Sequence, residues 1–292
     1  VTRVRDRETG VVTAERVFGG NALTLLYGGR FGRLVSGTIL CRRFPNSLYG
    51  WLQRRPASGK KIPAFVQSLG IDPSEAELPL EQYESLDDFF TRRLKPQSRP
   101  VDPDPARLVS PADGRALVYP RLDEKKLNVK TSPVSLAELL GDNELAGGYS
   151  GGAAIVIRLA PADYHRFHFP DCGVASVCRR IEGRLHSVHP IALAAGAPSF
   201  RNKREVTMLE SRGFGTLALL EIGALCVGTI VQTYRPGPVS RGEEKGLFRF
   251  GGSTVVVLAT EGQLQIDEDL VAASAEGMET RVKMGTGLAR RI

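Results

Sequence analysis

The chain has 292 residues, 42% hydrophobic and 24% charged, a mixture that sustains a buried core and excludes wholesale disorder. Its formal charge is +7, and the excess is regional: from Arg16 to Ile71 there is no Asp or Glu, while Arg16, Arg30, Arg33, Arg42, Arg43, Arg54, Arg55, Lys60 and Lys61 stand there. Such a segment calls for an anionic partner, and without a nucleic-acid-binding motif beside it a lipid surface suits it better than nucleic acid.

Residues 17–54 read as amphipathic helix, with Leu23, Tyr27, Phe31, Leu34 or Val35, and Ile39 recurring at helical spacing and Arg30 and Arg33 among them. Ser47 is placed to cap a short helix presenting Leu48, Trp51 and Leu52. Pro63 opens another with Phe65, Val66 and Leu69, and Ser85 caps a third with Phe89, Phe90 and Leu94. The Pro- and Asp-rich run 94–108 reads as a linker. Beyond it come short β-branched runs bounded by Gly and Pro: 116–120, 153–159, 173–181, 215–234 as a strand pair, and 253–259. One helix, 135–142, interrupts them, with Ser135 as cap and Gly141 as stop. The expected fold class is α+β: a helical, basic, membrane-associating region over 1–93, a linker over 94–108 and a β-rich catalytic domain over 109–292.

Cys41, Cys172, Cys178 and Cys226 form no C-x-x-C pair and are expected to be small buried hydrophobes in a reducing compartment. The polar start VTRVRDRETG is unlike a secretory leader, and Gly28, Gly29, Arg30 and Arg33 interrupt the apolar stretch after it. A membrane role is therefore expected to be peripheral.

Three short segments can carry chemistry. SPADGRA holds Asp113 in a sequence that is also ordinary turn chemistry. PADYHRFHFP holds Asp163, His165 and His168; the spacing is not that of a zinc protease helix, which leaves a structural pair or general acid-base work. GGSTVVVLA places Gly251, Gly252 and Ser253 at the start of a β-branched run. A hairpin turn is one reading, and a serine hydrolase elbow is not, because Val255 stands where G-x-S-x-G needs glycine. The third reading is self-cleavage. The Ser253 hydroxyl attacks the carbonyl of Gly252, whose missing side chain leaves that carbon unshielded, and an ester forms. Loss of the serine α-proton breaks the ester by β-elimination, and the dehydroalanine hydrolyses to a pyruvoyl group with release of ammonia. Its ketone forms a Schiff base with a substrate amine and takes up the electrons left as carbon dioxide departs, the role pyridoxal phosphate plays elsewhere.

Asp113 in SPADG, the pair in DYHRFHFP, and GGST after GEEKG resemble the bacterial pyruvoyl-dependent phosphatidylserine decarboxylases. So do RETG at 7–10, LYG at 48–50, DDFFTRRLKPQSRP at 87–100, NKREV at 202–206 and EIGALCVGTI at 221–230, so that the likeness spans nearly the whole chain. Thr131 and Val134 stand where the family pattern leads one to expect a glycine and a tyrosine. The resemblance implies cleavage between Gly252 and Ser253, Ser253 as the source of a covalent pyruvoyl cofactor, and no metal or pyridoxal phosphate. It implies Asp113 and His168 as activators of Ser253, Asp163 as a second orienting carboxylate, and His165 as the group serving decarboxylation. It also implies phosphatidylserine as substrate, the large and small fragments as a heterodimer, a homodimer as a further assembly left open, and residence on the cytoplasmic face of the cell membrane, with no nucleic acid partner. Three rivals share part of this pattern: a pyruvoyl decarboxylase of a soluble amine precursor, a serine hydrolase, and a non-catalytic lipid-binding module.

Overall fold

The computed structural model describes residues 3–14, 43–122, 127–129, 132–187, 192, 197–224, 229–251 and 253–292. The 17–42 part of the helical stretch expected over 17–54 lies outside the described residues, as do Cys41, Thr131, His189, Cys226 and Gly252.

Residues 3–14 make a hairpin, β1 (Arg3–Asp6) and β2 (Val12–Ala14). Asp6 closes its turn by accepting from the N–H groups of Glu8 and Thr9, at 3.1 and 3.0 Å, and Gly10 takes the left-handed conformation (φ 72°) the turn requires. Three helices follow: α1 (Arg43–Gln53), α2 (Ile62–Leu69) and α3 (Leu86–Phe90). Helix α1 covers Arg43–Gln53, so Ser47 lies inside it and is not its cap. Pro63 in the first turn of α2 and Ser85 at the cap of α3 stand as the sequence predicts, the Ser85 hydroxyl accepting from Asp88 N–H at 3.2 Å. Leu94 falls outside α3 and forms a bridge with Ala76.

The remainder is mostly sheet. After β3 (Arg107–Val109) and β4 (Gly114–Tyr119) come β5 (Leu127–Val129), β6 (Ser132–Val134), α4 (Leu136–Leu140) and α5 (Asn143–Gly147). Ser135 and Glu138 form a full capping box on α4, and Gly141 ends it. Then follow β7 (Ala153–Leu159), β8 (Arg166–His168), β9 (Gly173–Ala175), β10 (Arg179–Ile181), β11 (Arg204–Ser211), β12 (Gly215–Gly223), β13 (Ile230–Gln232), β14 (Gly237–Val239) and β15 (Glu244–Phe248). The chain ends with β16 (Ser253–Ala259), β17 (Leu264–Ile266), α6 (Glu268–Ala275), β18 (Glu279–Val282) and β19 (Gly287–Arg291).

Among the described residues the main sheet runs β14-β9-β11-β12-β16-β7-β4-β18-β1-β2, with β10 also on β11. Its pairings are antiparallel except that of β1 with β18. Strands β13, β15 and β8 form a second sheet, and β17, β19 and β3 a third. Side chains alternate across the main sheet. Ile155, Ile157, Val255 and Val257 pack with Phe167 and Phe248 of the second sheet, whereas Val156, Leu220, Val256 and Leu258 pack with Leu139 and Leu140 of α4. With both faces covered, all seven residues of β16 are buried, which is why it reads as an unbroken apolar run. Val134 is also buried in that second cluster. A third cluster joins Phe65, Tyr83, Phe89 and Phe90 of the 43–93 layer to Phe250.

Two strand expectations change. The run 215–234 does hold two strands, but they do not pair with each other: β12 lies between β11 and β16 while β13 pairs with β15 in another sheet. The run 173–181 is two short strands, β9 and β10, that meet different parts of β11. Strand β11 is unheralded by apolar alternation since it buries Arg204 and Glu205, each partnered; Arg204 donates to the carbonyls of Leu139 and Asn202 at 2.7 and 2.9 Å. Cys172 and Cys178 are half-buried, free thiols, not the fully buried hydrophobes expected. The Cys178 thiol lies 3.6 Å from Glu205 Oε2, and burial pushes it up to about 11.

Candidate active site

Register alone brings the predicted residues to one end of the main sheet. Ser253 opens β16 opposite Leu159, the last residue of β7, and opposite Gly223, the last of β12. Arg115 of β4 faces Arg158 of β7, so Asp113 enters the sheet at the edge where Ser253 begins. A side chain at Gly114 would collide with the Arg158 carbonyl at 2.7 Å, which accounts for glycine after Asp113. The chain leaving β7 turns through Ala160–Asp163 and returns past the same end as β8. There the His168 N–H donates to the Pro111 carbonyl at 2.8 Å, and the Phe248 N–H to the His165 carbonyl at 2.9 Å.

Three buried polar atoms at this end have no hydrogen-bond partner: Ser253 Oγ, His165 Nδ1 and His168 Nδ1. Buried polar atoms in native proteins are ordinarily satisfied, so a cluster of orphans marks a place kept for chemistry. His165 is fully buried, and its Nε2 donates to the Ala160 carbonyl at 3.0 Å. That fixes the tautomer and leaves the Nδ1 lone pair free. Its ring stacks on Phe90, with centroids 3.9 Å apart. Burial drives its pKa down to about 3, and the Asp163 carboxylate offsets only part of that. His168 is likewise lowered by burial, to about 4, with Glu244 and the Pro111 carbonyl pulling the other way. At neutral pH both imidazoles are therefore uncharged and able to accept a proton.

The carboxylates are arranged differently from the simple relay. Asp113 Oδ1 accepts from Arg99 Nε at 2.9 Å and from Met284 N–H at 2.8 Å, and Oδ2 from Arg99 Nη2 at 2.6 Å. Glu75 takes the other side of the same guanidinium at 3.0 Å. None of the Asp113 bonds goes to His168. Asp163 is held through one oxygen, its Oδ2 accepting from Arg115 and from Ala160 N–H, the latter at 2.6 Å. Burial pushes its pKa up, but the Arg115 guanidinium, the Ala160 N–H and His165 outweigh it, so the group is held below the usual carboxylate range. Its charge acts on His165.

Sequence reading missed Arg99, because its partner Asp113 lies 14 residues further along the chain and no local pattern joins the two. It also missed Tyr164, buried beside His168 with ring centroids 5.7 Å apart, its hydroxyl pushed up by burial. A buried ion pair, Lys245 with Glu221 at 2.7 Å, is bridged to Glu205 through Gln232. Lys245 is the lysine of GEEKG and Glu221 the first residue of EIGALC. Among the described residues no three His, Cys, Asp or Glu side chains converge as a metal-binding group. A group made from residue 253 fits its surroundings: it would stand at the head of a fully buried strand, at the sheet end where Ser253 Oγ, His165 Nδ1 and His168 Nδ1 have no partner.

The family model described as phosphatidylserine decarboxylase matches residues 86–290. The phosphatidylserine decarboxylase proenzyme of Chlamydia trachomatis serovar D is 44% identical over 294 residues, covering 98% of this chain and 96% of that protein. Those of Ruminiclostridium cellulolyticum and Fusobacterium nucleatum are 40% and 42% identical, over 99% and 96% of this chain and 98% and 94% of theirs. The matched span takes in the Asp113 turn, both histidines and Ser253, and the chain belongs to the phosphatidylserine decarboxylase family.

Proposed function

We propose that this chain is a proenzyme that cuts itself between Gly252 and Ser253 and then decarboxylates phosphatidylserine to phosphatidylethanolamine. The observation that carries the reading is the unpartnered Ser253 hydroxyl at the head of β16, at the sheet end where two uncharged imidazoles also keep a free nitrogen. His168 takes the proton of the Ser253 hydroxyl as its oxygen attacks the preceding carbonyl. Asp113 is assigned the stabilising carboxylate, a role that requires Arg99 to release one of its two oxygens. Asp163, whose charge acts on His165, steadies that ring. The pyruvoyl group left at residue 253 supplies the electron sink for decarboxylation. His165 holds the proton that replaces carbon dioxide; the negative charges of an arriving phosphoserine headgroup favour its protonated form over the low value of the free site.

The lipid would be met by the 43–93 layer as a peripheral, membrane-associating region, with 94–108 joining it to the catalytic domain. Leu48, Tyr49, Trp51 and Leu52 of α1 are exposed, and the Arg55 guanidinium lies 3.8 Å above the Trp51 ring. An apolar face rimmed by arginine is what an interfacial helix presents. No described helix is long and apolar enough to cross a bilayer. The cut chains stay together as a heterodimer, and the cytoplasmic leaflet supplies the anionic surface.

Denaturing electrophoresis with mass measurement tests the reading. The expected small fragment is Ser253–Ile292 with its first residue converted to pyruvoyl, and anionic vesicles carrying phosphatidylserine should release carbon dioxide. An intact chain that hydrolyses esters would favour the hydrolase, and activity on free serine would favour the soluble-amine decarboxylase.

A further inference from the structure

The segment entering the proposed cut is held by a side chain from elsewhere in the sequence. Asp87, in the first turn of α3, is 2% exposed. Its Oδ1 accepts from the Phe250 N–H at 3.0 Å, and its Oδ2 from Arg249 Nη1 at 2.7 Å, across 163 and 162 residues of sequence. The Phe250 ring is packed from three sides, by Tyr49 of α1, Phe65 of α2 and Phe90 of α3, with centroids at 5.8, 6.0 and 4.8 Å. Phe90 in turn stacks on His165. Downstream, Ser253 is locked between β7 and β12. Only two glycines separate the two fixed points, and Gly251 has φ 135°, a conformation other residues rarely adopt.

We propose that Asp87 is a positioning residue for self-cleavage: it clamps the backbone at Phe250 so that the glycine pair spans a fixed gap to Ser253. This rests on the reading that the chain cuts itself at Gly252–Ser253. An intramolecular attack depends steeply on placement, and a shift of about 1 Å can slow it on the order of a hundredfold. Asp87 touches neither reacting atom; it fixes where the upstream half of the bond lies. A charged acceptor on a buried backbone N–H is well suited to that, since charge-assisted bonds are short and strong. The same contact ties the clamp to the layer that carries the exposed face of α1, so the cut forms only once residues 43–93 have packed against the sheet. After the cut Asp87 keeps the new carboxyl end beside residue 253.

Pulse-labelled full-length chain, followed by denaturing electrophoresis, gives the first-order rate of conversion. Asp87→Ala should slow it at least tenfold. Asp87→Asn, whose amide oxygen still accepts from Phe250 N–H, should recover most of the rate. Arg249→Gln removes only the exposed half of the contact and should stay within twofold of the parent. Thermal unfolding of each variant in the Ser253→Ala background separates a loss of folding from a loss of placement, because the asparagine rescue must appear in rate at matched stability. Parent-like conversion in Asp87→Ala, or equal slowing in Asp87→Asn and Asp87→Ala at matched stability, overturns the clamp. Parent chain that is uncut, or cut at another bond, overturns the underlying reading as well, and the fragment masses tell the two failures apart.

Discussion

Strand β16 and helix α3 both border the segment 249–253, and they are held by opposite means. β16 is fixed by backbone: seven residues register with β7 and six with β12. Helix α3 has only five residues, too few to persist alone, and stands through side chains: Phe89 and Phe90 in the aromatic cluster, Asp87 on Phe250. A ladder fixes its members whatever their side chains, whereas a side-chain contact is lost with one substitution. The proposed nucleophile thus sits on the rigid half, and the half proposed to meet lipid is the more easily perturbed.

The strongest way to break this contrast is to remove the proposed nucleophile of the rigid half. Ser253→Ala should leave a single uncut chain with no carbon dioxide release on vesicles, while the ladder and hence the fold persist. Next come the histidines at the seam. His168→Ala should abolish cutting, while His165→Ala should cut and then turn over about 10²–10⁴-fold more slowly, the usual worth of a positioned acid or base. If the two outcomes are exchanged, so are the roles.

Stability tests sharpen the comparison from within the sheet. Removing one partner of the buried Lys245–Glu221 pair with Lys245→Ala should cost about 3–5 kcal/mol, and Lys245→Met with Glu221→Leu much less, because a buried charge without its partner is the expensive state. Denaturant titrations in the Ser253→Ala background measure both. Acid probes the seam. His165 and His168 are held at about 3 and about 4 against 6.5 when unfolded. As pH falls below 6.5 the unfolded chain takes up protons first, so stability is fully present above that value and is lost as pH falls towards about 4 for His168 and about 3 for His165. His165→Gln should flatten the profile. The smallest effect belongs to the exposed layer. Changing Arg42, Arg43, Arg54 and Arg55 to Glu should weaken binding to anionic vesicles at low salt, each arginine contributing on the order of 1 kcal/mol, and leave cutting intact. Equal binding of both proteins across a salt series would show a merely solvated face.

What sequence made legible follows the same division. Buried central strands such as 153–159 and 253–259 announce themselves because both faces are apolar, and caps such as Ser85 and Ser135 are local chemistry. Ser253, His165, His168 and Asp113 could be picked out because each sits in a short, chemically distinctive run. Hidden were the strands whose charged residues are satisfied at long range, Arg204 on Leu139 and Lys245 on Glu221, since no local pattern reports a partner many residues away. Arg99 and Asp87 escaped for the same reason.

The order β12-β16-β7 carries one last implication. The segment from Ser253 onward also supplies β18, between β4 and β1, and β19, beside β3. Severed at Gly252–Ser253, the molecule would be two chains interleaved within one sheet, and dilution would not part them, since leaving would open gaps inside the sheet. Unfolding then becomes a one-way event: two pieces that were folded as one chain would have to find each other and insert strands into gaps. The working life of the mature enzyme is accordingly set by its unfolding rate, and its apparent melting temperature should move with heating rate, while the uncut Ser253→Ala chain refolds.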